Sequence, residues 1–314
     1  MRPILTVTLN PALDLTTSVE SVRPGPKLRC DGLRVDPGGG GINVARVIAR
    51  LGGSARALVA LGGATGARLA DALAVEGIAV DRFPAPGETR ESLAVTDRGT
   101  GAQYRFVLPG PDWTAAEGAA VLATIVDVVE DGAFVVLSGS LPPGLPDDLP
   151  ASLSERLGAR SARLLLDTSG ATLAQAARPT SPVHVLRMDE AEAEALAGNR
   201  LRTRGDTADF ADQLVRQGAA HIVVIARGAD GSVLATVEER WFAKAAEVPV
   251  NSKVGAGDSF LAAFTLALAR DAALAEALQQ GMAAASATVM TEATELCHPE
   301  DVRRLVAACP VSPV

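Results

Sequence analysis

Lysine is almost absent from this chain. Lys27, Lys244 and Lys253 are the only ones in 314 residues, and arginine carries nearly all the positive charge. A GC-rich coding sequence accounts for that imbalance. The net charge of −8 and pI of about 5.0 exclude a nucleic-acid or membrane-surface binder that works through bulk charge. Any phosphate must be met by local basic side chains and backbone N–H groups. Cysteine is equally scarce: Cys30, Cys297 and Cys309 are odd in number and lack CxxC spacing, which argues against a disulfide framework or a zinc site. The apolar start, Met1 to Leu9, is too short for a signal peptide, and no apolar run reaches bilayer length. A cytoplasmic protein without membrane or nucleic-acid partners is expected. Also missing are a GxxxxGK[ST] loop and a GxSxG elbow, which excludes a P-loop enzyme and an α/β-hydrolase. Gly38-x-Gly40 lacks the dinucleotide fingerprint, which argues against an NAD-dependent dehydrogenase. There are no repeats and no low-complexity tract.

Hydrophobic residues make up 48% of the chain, enough for a large core. Ile4–Leu9, Ala57–Leu61, Phe134–Leu137, Leu164–Leu166, His184–Leu186 and Ile222–Ile225 are short apolar runs that read as buried strands. Between them, residues 42–53 place apolar side chains at 44, 47, 48 and 51, a helical spacing that stops at Gly52, and Ala67–Glu76 reads as a second helix. The alternation predicts a parallel sheet covered on both faces. Ligand loops of such sheets lie beyond the C-terminal ends of the strands. Ser138–Gly144, Asp167, Arg187 and Ala226–Gly228 fall there. Two segments, about 14–36 and 88–107, break the pattern. Ser92–Thr96 and Gln103–Val107 flank Asp97–Gly101 as a hairpin. Together the segments predict a small antiparallel lid, whose apolar face suits pairing with a second copy in a homodimer.

The strongest chemical signal is Val254-Gly255-Ala256-Gly257-Asp258-Ser259 ahead of an apolar helix. Helix starts leave N–H groups unpaired and carry positive potential, so they hold anions. A carboxylate beside them can take a proton from an attacking hydroxyl. A tight turn with Asp258 as helix cap accounts for the same residues. Gly38–Gly41 before Asn43 suits close backbone approach to a ligand, with Asn43 bonding sugar hydroxyls. Asp14 suits vicinal hydroxyls, or is a turn residue. Lys27, Arg90 and Arg105, beside the lid, suit a phosphate, or are solvated charges. The acidic run Asp189–Glu194 matches a helix dipole, and one member suits water-mediated Mg²⁺.

Thr8–Asp14, Gly38–Asn43 and Gly255–Asp258, in that order and spacing, resemble the PfkB-type sugar kinases of the ribokinase superfamily. The resemblance spans about residues 4 to 308. Within that family Lys27–Cys30, Pro37–Asn43, Thr89-Arg90, Gln103–Phe106 and Ser138–Gly144 are most similar to the ATP-dependent minor 6-phosphofructokinases. Fructose-1-phosphate kinases usually carry lysine where Gly40 stands. The resemblance implies one ribokinase-like α/β domain over residues 1–314, a mostly parallel sheet covered on both faces, with the β lid attached. It implies transfer of the ATP γ-phosphoryl to the C1 hydroxyl of fructose 6-phosphate. Asp258 would be the base, with Gly255, Ala256 and Gly257 as the anion hole. Asp14, Gly39, Asn43 and Ser140 would bind the sugar, with Lys27 and Arg90 toward its phosphate and Arg105 nearby. Glu192 would hold Mg²⁺ through water, and Arg187, Asp189, Arg227, Gly228 and Lys253 would face the nucleotide. Departures cluster there: Asp189 stands for the family's Asn, Ala226 for Ser/Thr, Lys253 for Thr and Ala293 for Gly. Tagatose-6-phosphate kinase, fructose-1-phosphate kinase and a non-catalytic sugar-phosphate binder are the alternatives.

Overall fold

The computed structural model describes residues 1–179 and 182–314. The chain opens with β1 (Ile4–Thr8), β2 (Ala12–Val19) and β3 (Arg34–Gly38), then α1 (Gly40–Arg50), β4 (Arg56–Leu61), α2 (Gly63–Val75) and β5 (Val80–Pro84). The hairpin β6 (Arg90–Asp97) and β7 (Gln103–Val107) follows. Next come α3 (Ala115–Val128), β8 (Phe134–Ser138), α4 (Leu149–Gly158), β9 (Arg163–Asp167), α5 (Gly170–Ala176) and β10 (Val183–Met188). After α6 (Glu190–Ala197), α7 (Arg204–Arg216) and β11 (Ala220–Ala226) the strands β12 (Gly231–Ala235) and β13 (Arg240–Lys244) turn back. Helices α8 (Ala256–Ala269), α9 (Leu274–Thr288) and α10 (Pro299–Leu305) precede β14 (Val311–Pro313).

Ten strands form the main sheet in the order β14-β13-β12-β11-β10-β9-β8-β1-β4-β5. All pairings from β11 to β5 are parallel, and β12–β14 make an antiparallel edge. The apolar runs are buried because successive side chains enter opposite cores. Val7, Leu137 and Leu166 pack in one core with Val121 and Leu153 of α3 and α4. Ile4, Val136 and Leu165 pack in the other with Phe264 of α8 and Ala284 of α9. Every residue of α8 from Ser259 onward is buried, so its N-terminus is held by a rigid stem. Among the described residues no helix is long and apolar enough to cross a membrane.

The lid is a four-stranded sheet, order β3-β2-β6-β7. β2–β3 and β6–β7 pair antiparallel, as expected, but the middle pair β2–β6 is parallel. The reason is topological. β2 follows β1, β6 follows β5, and both leave the same edge of a parallel sheet. Helices α1 and α2 start earlier than expected, at Gly40 and Gly63. Glycine's poor helix propensity is overridden there by packing and capping; the Glu88 carboxylate accepts from the Thr65 N–H at 2.5 Å across Gly63.

Candidate active site

The C-terminal ends of β8, β9 and β10 meet the head of α8 around a cavity of about 250 Å³, lined by Ser138, Ser140, Asp167, Arg187, Glu192 and Asp258 among others. Gly255 caps α8 with φ +77°, a left-handed conformation suited to glycine. The N–H groups of Gly255 and Gly257 meet no protein acceptor among the described residues, whereas that of Ala256 makes a long turn bond to the Lys253 carbonyl, 3.4 Å. A Cβ on Gly257 would lie 2.7 Å from Nη1 of Arg187. The glycine therefore lets a guanidinium sit against the helix start. Asp258 is the third helical residue and makes no capping bond. Its side chain instead turns inward, where Oδ2 accepts from Nδ2 of Asn43 at 2.9 Å and Oδ1 lies 3.5 Å from the Ser138 hydroxyl.

Burial dominates the electrostatics of this carboxylate. Burial raises the Asp258 pKa to about 6; the Asp167 carboxylate adds to the shift, while Asn43, Arg187 and Ser138 oppose it. Arg187 Nη1 pairs with Asp167 at 3.0 Å, both side chains 14% exposed. Burial works against the Arg187 charge, but the carboxylates of Asp167, Asp258, Glu192 and Asp189 outweigh it. Its Nε is buried with no partner among the described residues. An unpaired charged donor beside unpaired amides is a place for an anion.

On the sugar side, Asp14 of β2 lies in a smaller cavity under the lid with Ser92, Arg105, Val254 and Thr294. Burial raises its pKa to about 6, opposed by Arg90 and Arg105 and assisted by Asp36. Arg90 donates to the Asn10 and Leu108 carbonyls. Ser140 lines the main cavity and accepts from Nδ2 of Asn10 at 3.1 Å. Lys27 lies exposed on the β2–β3 connection. The four glycines have a packing cause that the sequence reading did not give. A Cβ on Gly38 would lie 2.2 Å from Oδ2 of Asp14, on Gly39 2.7 Å from Cγ2 of Thr8, on Gly40 2.2 Å from the Ser138 hydroxyl and on Gly41 2.5 Å from the Val7 carbonyl. They make room for site side chains first. Asn43 is engaged at both ends of its amide, by Asp258 and by Arg46, and keeps one N–H and one lone pair for a sugar hydroxyl.

On the nucleotide side, Asp189 and Glu192 form a reciprocal capping box at the start of α6. Oε2 of Glu192 takes the Asp189 N–H at 2.8 Å. Burial raises the Glu192 pKa, with Asp189 and Asp167 adding repulsion, a crowding that a hydrated cation would relieve. No cluster among the described residues is suited to direct metal ligation. Arg227 corrects the sequence reading. It is turned inward, 8% exposed, against Asp230 at 3.1 Å and the Leu201 carbonyl at 3.0 Å, with Thr207 as a further partner. Its donors brace the β11–β12 corner rather than facing a nucleotide. Gly228 turns that corner at φ +56°, and Lys253 is exposed at the mouth of the α8 loop. Ala293 adopts φ +52°, a left-handed conformation costing about 1–2 kcal/mol for a residue with a Cβ.

Sequence reasoning placed Ser138 and Asp167 at the ligand-bearing end of the sheet without giving either a role, and it missed Thr168 and Arg46. The first three sit at or just beyond the ends of β8 and β9, and their position at the carboxyl edge was the available signal. Arg46 carried none, since an arginine at helical spacing reads as a surface charge.

Known proteins give the same picture. The pattern of the "pfkB family carbohydrate kinase" group matches residues 8–301. An ATP-dependent 6-phosphofructokinase isozyme 2 of Mycobacterium tuberculosis is 40% identical, over 96% of this chain and 88% of that one. A 1-phosphofructokinase of Xanthomonas campestris is 34% identical, over 85% of each. The crystal structure of phosphofructokinase-2 from Escherichia coli in complex with fructose-6-phosphate superposes with a TM-score of 0.90 at 37% identity, covering 98% of this chain and 99% of that one. With a site built for anion binding and proton removal on this fold, the chain belongs to the pfkB family of carbohydrate kinases.

Proposed function

We propose that the protein transfers the γ-phosphoryl group of ATP to the C1 hydroxyl of fructose 6-phosphate. The observation that carries this reading is the Asp258 carboxylate facing a cavity beside unpaired amides and the Arg187 guanidinium. Asp258 takes the C1 hydroxyl proton. The new oxygen–phosphorus bond forms as the bond to the leaving ADP oxygen breaks. The N–H groups of Gly255 and Gly257, with Arg187, stabilise the charge on the moving phosphoryl. Asp14, Gly39, Asn43 and Ser140 line the sugar's place, and Arg90, Arg105 and Lys27 supply charge for its phosphate. Gly228, Asp189 and Lys253 border the nucleotide. Glu192, through its unused Oε1 and a water, would hold Mg²⁺, which when bound neutralises nucleotide charge. The main sheet and the lid act as one domain, residues 1–314, in the cytoplasm.

Gly40 keeps the 6-phosphofructokinase pattern at the position where fructose-1-phosphate kinases usually carry lysine. A lysine in its place would push its Cβ into the Ser138 side chain and backbone, at 2.2 and 2.8 Å. ADP release measured across a panel of sugars and phosphosugars tests the reading. Fructose 6-phosphate is expected to be the best acceptor. Turnover confined to ribose, nucleosides, tagatose 6-phosphate or fructose 1-phosphate would refute that choice, and sugar binding without ATP binding would favour a non-catalytic protein.

The lid leaves Leu93, Tyr104 and Phe106 exposed on one face. That apolar row supports a homodimer formed lid to lid. Sedimentation at micromolar concentration is expected to give twice the chain mass, and a monomer would rule it out.

A further inference from the structure

Behind the transfer site a chain of polar contacts runs from Asp258, at the main cavity, outward to two residues that line neither cavity of the site. Asn43 and Arg46 stand three residues apart on α1, one above the other on the same helix face. Asn43 donates from Nδ2 to Oδ2 of Asp258 at 2.9 Å and accepts at Oδ1 from Nη1 of Arg46 at 3.3 Å. Arg46 is held in turn by Glu76, the residue that ends α2. Nε and Nη2 of Arg46 meet the two Glu76 oxygens at 2.7 Å each, and Nη1 also reaches the Pro37 carbonyl at 3.3 Å. Arg46 is 5% exposed and Glu76 30%.

We propose that Arg46, locked by Glu76, is a positioning residue that presents the N–H side of the Asn43 amide to Asp258. A carboxamide has two ends of nearly equal size, so shape alone does not choose which one faces the carboxylate. Chemistry does. A guanidinium has only donors, so the oxygen of Asn43 must face Arg46 and its nitrogen must face Asp258. Without Arg46 the amide is free to rotate, and its oxygen in the other orientation would repel Oδ2. Fixing Oδ2 leaves Oδ1, on the Ser138 side, as the oxygen that takes the proton. The bidentate grip of Glu76 makes the arrangement rigid, because a planar fork on a planar carboxylate permits one orientation. Arg46 lines neither the transfer cavity nor the one under the lid. With Glu76, Arg34, Asp36 and Arg50 it faces an outer cleft instead, so it acts through Asn43 and not on substrate.

The inference rests on Asp258 as the base, and the test separates the two. Turnover on fructose 6-phosphate is measured for the wild type, Arg46→Met, Glu76→Gln, Asn43→Ala, Asp258→Asn and the doubles of Asn43→Ala with each relay change. Arg46→Met is expected to lower kcat roughly 30- to 100-fold with both KM values within about twofold, and Glu76→Gln to lower it about 3- to 10-fold. In the Asn43→Ala background either change should move kcat by less than about twofold, because the group they act through is gone. Arg46→Lys, which cannot bridge Glu76 and Asn43 together, should recover little. A kcat loss of equal size with and without the Asn43 amide overturns the relay, as does a rise in KM at constant kcat. Glu76→Gln alters a partly exposed side chain and keeps the cycle decisive if Arg46→Met does not fold. If Asp258→Asn stays active, the assignment of the base falls and the relay with it; if Asp258→Asn is dead and the cycle is additive, only the relay falls.

Discussion

Asp258→Asn should lower kcat by roughly 10³- to 10⁴-fold, at the top of the range for losing a positioned general base, while fructose 6-phosphate still binds. The amide keeps the shape of the carboxylate and the neighbours Asn43 and Ser138, but it cannot accept the hydroxyl proton. The same change should make the protein more stable at pH 7.5. Burial holds the folded-state pKa near 6, above the ordinary 3.8, so the folded protein binds this proton more tightly than the unfolded chain. The stability it contributes is complete below about pH 4 and is lost as pH rises through about 6. At pH 7.5 the ionised carboxylate costs about 2–3 kcal/mol relative to its protonated form. Removing the charge should raise Tm by a few degrees. Calorimetry and ADP release on the same preparation check both halves. An active variant, or one inactive because it has melted, would contradict the assignment.

Arg187→Met should act in the opposite direction on stability and the same direction on turnover. Arg187 is the buried partner of Asp167, and removing one member of such a pair leaves an uncompensated charge, worth about 3–5 kcal/mol of destabilisation. It also removes the charged donor beside the amides of Gly255 and Gly257, a loss of about 10²- to 10³-fold in kcat. The double variant Asp167→Asn/Arg187→Met separates the two effects. Denaturant unfolding should show most of the lost stability restored, whereas turnover should remain low. If turnover returned with stability, Arg187 would be a structural residue only.

The sheet was legible in the sequence because a parallel strand buried on both faces has to be a continuous apolar run, and Phe134–Leu137 or Ile222–Ile225 satisfies little else. The α8 head was legible as a glycine-flanked turn with a carboxylate before a mostly apolar helix, a pattern that suits a capped turn as well as an anion site, and only its order with Thr8–Asp14 and Gly38–Asn43 pointed to the second. What was not legible depended on distant partners. The four glycines of Pro37–Gly41 look like a ligand loop, but their lack of Cβ atoms is required by Asp14, Thr8, Ser138 and Val7, all of which lie more than 20 residues away in the chain. Arg227 looks like a spare cation for phosphate until Asp230, Thr207 and Leu201 are seen to absorb its donors. The parallel middle of the lid depends on which edge of the main sheet its strands leave. Helical spacing places Asn43 and Arg46 on one face but does not show that an amide between them and Asp258 has to point one way.

Transfer requires one buried carboxylate, that of Asp258, to be ionised when the hydroxyl attacks. The most direct test is the pH dependence of kcat for the wild type at saturating ATP, Mg²⁺ and fructose 6-phosphate, where titration of the free substrates drops out. With Asp258 as the base, kcat should reach a plateau above about pH 7 and fall one decade per pH unit below a midpoint near 6, the value to which burial raises Asp258. A kcat that stays flat down to pH 5 would contradict it.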